Sequence, residues 1–236
     1  MVDEDSDVAG EGSDFAGVVD AQEARWAERY GVLFLLILLS LLLSAANTMW
    51  MKVVAVLVQG GMVLFAFSAA RAPRRAWRLA IVLVPVGVIL GIVARFGESR
   101  PAELVAAGVN LTLPVAAVVV LVRRIVREPF VSGRTVLGLL SVYLLIGMTF
   151  AATFIMIAIA SQEPFFAQTN HADPVDFTYF SFVTLATVGY GDLTAANPLP
   201  RMLAAVEGLT GQLYLVTVVA VAVSRVRTRR DQPPGG

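Results

Sequence analysis

The sequence predicts an all-α membrane protein with six transmembrane helices, and a short re-entrant segment between the fifth and sixth. Three observations carry this. The chain is 57% hydrophobic and only 15% charged, with a mean hydropathy of +0.75, a balance that a soluble domain with a polar surface does not reach. Six apolar segments approach the ~20 residues that a bilayer core requires of a helix. Between the last two lies an apolar run too short to span, followed by a glycine-containing polar loop.

The first 29 residues hold half of the chain's 18 acids and read as an acidic, disordered cytoplasmic tail. Residues 30–46 form the first predicted helix. Ser44-Ala45-Ala46 at its end resembles a signal-peptide cleavage site, but the long acidic leader is the reverse of the short basic one that such a peptide carries. The second to fourth helices are expected at 49–70, 77–94 and 104–122, with Pro85 and Pro114 expected to kink the third and fourth. Together residues 30–126 make a four-helix module, read as either a lipid-facing scaffold or a module that senses tension or lipid. Asn110-Leu111-Thr112 spells a glycosylation sequon, yet it falls inside the fourth helix and is a false match. Helices over 136–160 and 201–224 bound the last unit, residues 134–225, and residues 226–236 are read as a short cytoplasmic tail. Apolar residues run all round these helices, as lipid exposure demands.

Orientation follows from Lys and Arg. Fourteen of the 18 flank the helices on the side of both termini, leaving Lys52, Arg95, Arg100 and Arg201 for the other. The positive-inside rule then makes both termini cytoplasmic in a multi-pass protein of the plasma membrane. Arg225, Arg227, Arg229 and Arg230 follow the last helix directly, and read either as plain topology anchors or as a site for anionic lipid of the inner leaflet. Zero cysteines and one histidine, His171, exclude disulfides, thiolate chemistry and Cys- or His-rich metal sites. No cofactor and no nucleic-acid partner is expected.

Residues 177–186 make the short segment, and its C-terminal end is expected to aim unpaired carbonyls and the negative end of the helix dipole at a cation path. Next comes Thr187-Val188-Gly189-Tyr190-Gly191-Asp192. Here Gly189 and Gly191 allow the backbone dihedrals that turn successive carbonyls one way, and the first five residues match the TVGYG signature of potassium selectivity filters. With Val142-Tyr143-Leu144-Leu145-Ile146-Gly147, Tyr179 to Leu185 and Gly211-Gln212-Leu213-Tyr214-Leu215, the chain resembles the potassium channel superfamily, specifically small bacterial ion channels with a two-helix pore domain. The resemblance covers residues 134–225. It implies a homotetramer around a central pore, with carbonyls of Thr187, Val188, Gly189 and Tyr190 and the Thr187 hydroxyl replacing the water shell of a permeating K+. Tyr190 would brace the ring from behind, Gly191 would complete the turn, and Asp192 would pair with Tyr179. Gly211 stands where the family places a gating hinge, and reads equally as a close-packing glycine. One departure is Ala186, where the family usually carries a second threonine.

The fourth helix has no arginine between 104 and 122, so a voltage-independent channel is expected. A weakly selective cation channel or a non-conducting partner subunit is the alternative. Paired intramembrane acids, metal-ligand clusters or inverted repeats would point to an enzyme or transporter, and the sequence has none. Glu207, an acid near the outer end of the last helix, reads as a structural partner behind the loop or as snorkelling to the interface. His171 offers a pH-sensing group, but as a lone loop histidine it reads more simply as solvated. Glu163, Asp173, Asp176 and Asp192 against Arg201 leave the outer mouth net negative, which would concentrate cations.

Overall fold

The computed structural model describes residues 29–45, 49–69, 74–96, 100–126, 133–161 and 163–230. The acidic tail over residues 1–28 and the last six residues lie outside them. Among the described residues the regular structure is helical: α1 (Arg29–Ser44), α2 (Met49–Ala69), α3 (Arg74–Phe96), α4 (Arg100–Val126), α5 (Gly133–Ala160), α6 (Pro174–Leu185) and α7 (Pro198–Arg230). The order matches the predicted one, but several ends move outward. The expected tail 1–29 gives up Arg29 to α1, and the expected tail 226–236 is helical as far as Arg230. Both shifts share a physical reason. Arginines end the stretch that lipid tolerates, but they are good helix formers and leave the hydrogen-bond ladder intact. Pro85 and Pro114 both sit inside continuous helices.

Segments Glu103–Val126 and Val136–Ala160 are long and apolar enough to cross a membrane, while Arg29–Ser44, Leu57–Ala69 and Trp77–Gly87 are shorter apolar stretches. Large apolar side chains lie exposed along the outside of the bundle, among them Leu35, Leu42, Leu79, Val82 and Ile89. Lipid in place of water explains a surface of that kind.

α4 packs most extensively of all against α5, and the pair runs antiparallel along its whole length. Arg100 at the start of α4 reaches the end of α5, where its guanidinium donates to the carbonyls of Ile159 at 3.2 Å and Ser161 at 3.1 Å. At the other end Ile125 and Tyr30 close over Gly138. The last carbonyls of a helix lack intrahelical donors, so a cation placed there both satisfies them and complements the dipole. One apolar core, including Leu33, Ile37, Met62, Leu121 and Leu145, joins α1 through α5. A second, aromatic core gathers Phe154, Phe165, Phe166, Phe177 and Phe180 beneath the loop between α5 and α6, with ring centroids 4.8 to 6.2 Å apart.

Candidate functional site: the loop between α6 and α7

α6 opens at Asp173 and Pro174, where the Asp176 carboxylate accepts the backbone N–H of Asp173 at 2.8 Å. Negative charge on the first turn suits the helix dipole. The helix then runs between α5 and α7, and two glycines let it come close. A Cβ on Gly147 of α5 would sit 2.9 Å from the Phe182 ring, and one on Gly211 of α7 would collide with the carbonyl oxygen of Leu185. Of the two readings of Gly211, this contact supports close packing. The Leu185 oxygen also accepts from the Tyr143 hydroxyl at 3.2 Å, and Tyr214 donates to Leu139 at 2.6 Å. The end of the short helix is thereby held from both sides.

The expectation of unpaired carbonyls at that end requires correction. Phe182 oxygen accepts from Ala186 N at 3.0 Å, Thr184 oxygen from Thr187 N at 2.9 Å, and Val183 oxygen from Val188 N at 2.9 Å and Gly189 N at 3.4 Å. The loop folds back so that its own N–H groups close the last turn, since buried or crowded backbone groups seek partners. The consequence moves one segment downstream. With the N–H groups turned back, the carbonyls of Thr187, Val188, Gly189, Tyr190 and Gly191 accept no hydrogen bond among the described residues.

Backbone signs explain how the loop does this. Thr187, Gly189 and Gly191 have φ of 56°, 57° and 80°, whereas Val188 and Tyr190 do not take positive φ. Such alternation of handedness is what allows a backbone to turn successive carbonyls toward one side. Glycine takes the left-handed region freely, while a β-branched residue such as Thr187 resists it. The sequence pointed to the two glycines; the strained Thr187 emerged only from the structure.

Residues 186 to 192 are exposed in the single chain, Tyr190 to 71%. Tyr179 donates to Asp192 Oδ2 at 2.7 Å, and that hydrogen bond holds the phenol above its ordinary pKa. The phenol is thus a neutral donor throughout the physiological range. Downstream, Gln168 and Thr194 exchange two hydrogen bonds of 2.8 and 2.9 Å, Phe166 bridges Ala195, and Arg201 donates to the Ala195 carbonyl at 2.8 Å. His171 is exposed, as its solvated reading requires.

Glu207 is fully buried, which excludes snorkelling. It meets the hydroxyl of Ser181 on α6, and Ser181 also contacts the Gly147 carbonyl at 2.7 Å. Sequence reasoning had no role for Ser181, Gly147, Tyr143 or Arg100, because each acts on an element distant in the chain.

Residues 142–228 match the family model described as ion channel. A stretch of 70 residues, 28% of this chain, is 40% identical to the inward rectifier potassium channel Kirbac3.1 of Paramagnetospirillum magnetotacticum. The aligned stretch spans only 22% of that relative's length. No solved structure matches the chain. The segment carrying the free-carbonyl loop is therefore similar to ion channels.

Proposed function

We propose that this chain is a subunit of a homotetrameric, potassium-selective, voltage-independent channel that conducts K+ passively across the plasma membrane. The observation that carries the reading is the run of five carbonyls without hydrogen-bond partners at residues 187–191, held by alternating backbone handedness. Rings of such carbonyls from four copies would replace the hydration shell of a dehydrated monovalent cation. Similarity to a relative named as a potassium channel supports K+ as that ion.

In this reading all six long helices cross the bilayer, α6 is re-entrant, and both termini are cytoplasmic. The tetramer would cover what one chain leaves exposed. Val188 at 51% and Tyr190 at 71% have no cover in the protomer, and on α7 the exposed Leu199, Met202, Val206, Leu209, Leu213 and Val216 recur at the three-four spacing of a helix-packing seam.

Ion flux from liposomes holding purified protein tests the proposal. Flux driven by a K+ gradient with far smaller flux under an equal Na+ gradient is the expected result. Comparable flux of both would establish a weakly selective pore, and no flux of either a non-conducting subunit.

A further inference from the structure

Where α7 crosses behind α6, Glu207 is 0% exposed within a single chain, so no neighbouring copy reaches it. Its Oε2 has no hydrogen-bond partner, and Oε1 bonds only to the Ser181 hydroxyl. Ser181 has a second contact, the Gly147 carbonyl oxygen at 2.7 Å. Two such oxygen–oxygen contacts need a proton in each, since bare lone pairs repel. Ser181 supplies one proton and a backbone carbonyl supplies none. The remaining donor is the carboxyl of Glu207. Burial argues the same way, because an isolated carboxylate away from water is far costlier than a neutral carboxyl with one unsatisfied oxygen.

The geometry points to Glu207 as a proton-binding site: the neutral carboxyl donates to Ser181, Ser181 donates to Gly147, and one bound proton thereby clamps α7, α6 and α5 together behind the loop. The site is independent of which ion the loop conducts. Other titratable groups on the packed elements have their own commitments. Tyr143 on α5, which lies within electrostatic reach of Glu207, donates to Leu185. On α6, Asp176 caps the helix and Tyr179 bonds Asp192, while on α7 Arg201 and Tyr214 donate to backbone carbonyls.

Loss of the proton would leave two acceptor oxygens, Glu207 Oε1 and the Gly147 carbonyl, competing for one hydroxyl hydrogen, and open the clamp. An unfolded glutamate has released its proton well below neutral pH. The folded chain therefore holds one proton more, and stability must fall as pH rises until Glu207 ionises. Glu207→Gln replaces the proton-bearing oxygen with an amide that donates to Ser181 at every pH.

Infrared spectroscopy of the full chain in liposomes at neutral pH tests the site. The expected spectrum has a neutral-carboxyl carbonyl stretch that shifts on 13C-glutamate labelling and vanishes in Glu207→Gln. The labelled wild type needs no variant to fold, and absence of a label-sensitive stretch overturns the proposal, as does its survival in Glu207→Gln. Thermal melting tests the clamp. The wild type should lose melting temperature as pH rises from the acid range up to the pH at which the stretch disappears and level off beyond it, and Glu207→Gln should not; a wild-type melting temperature that stays constant up to that pH overturns the clamp.

Discussion

Gly189 has φ of 57° and open space where a Cβ would stand, so a side chain there is opposed by backbone conformation and not by crowding in the protomer. Gly189→Asp should abolish K+ flux in liposomes while leaving membrane insertion intact, because the left-handed turn that aligns the carbonyls is lost. Retained selective flux would defeat the proposed role of the loop. At Gly211 the obstacle is the opposite. Its φ is ordinary, but a Cβ would run into the backbone oxygen of Leu185, which cannot swing aside as a flexible side chain does. Gly211→Ala should destabilise by about 1–3 kcal/mol, typical of an overpacked contact, and thermal denaturation in detergent reads that loss. A variant as stable as the wild type would show that α6 and α7 separate easily.

At the scale of elements, Arg100 is a polar tie, beside the shared apolar core, between the four-helix module and α5. It reaches across 59 residues of sequence to the Ile159 carbonyl, and it joins two helices whose opposite ends are packed through Gly138. Arg100→Gln removes the cation from an exposed helix C-terminus, a change worth about 0.3–1 kcal/mol. Amide exchange at residues 159–161 should speed up, with little change at α6, and unchanged exchange there would mean the guanidinium caps nothing. The acids of the outer mouth require similar care. Asp176 holds the start of α6, so its neutralisation would disturb a helix as well as a field. Glu163 is exposed and its backbone, not its carboxylate, takes part in local hydrogen bonds, which makes it the cleaner probe. Glu163→Gln should lower inward single-channel K+ current in dilute salt and have little effect in concentrated salt, where the Debye length shrinks to about 3 Å at 1 M. Equal current at both ionic strengths would show that this acid focuses no ions.

For the whole molecule, the arginine-free span of α4 bears on gating. Each charge that crossed the full field would contribute about 2.3 kcal/mol per 100 mV, yet the arginines of this helix stand at its ends, Arg100 against α5 and Arg123 and Arg124 in the last turn. Open probability should therefore vary little with potential, and a steep conductance–voltage curve in planar bilayers would contradict this. α7 continues as a helix to Arg230, carrying four arginines past the apolar span. Each contributes about 1 kcal/mol near an anionic surface. If those arginines read lipid, activity in anionic liposomes should exceed that in neutral ones, and equal activity would leave them as topology anchors.

The order of the amino acids was enough to place the succession of helices, the short segment and the loop at 187–192. Those features rest on local properties: apolar runs long enough for a bilayer, and glycines at alternate positions. It misjudged helix ends because arginine ends lipid compatibility without ending a helix, as Arg29 and Arg230 show. Local backbone geometry, which apolar runs do not encode, closes the short helix with the N–H groups of residues 186–189. Helix packing decided that Gly211 meets Leu185, that Arg100 caps α5, and that Glu207 meets Ser181 and not solvent. Each of these joins groups 26 or more residues apart. Chain composition reports what a residue tolerates, but a buried carboxyl's partner exists only once the helices have packed.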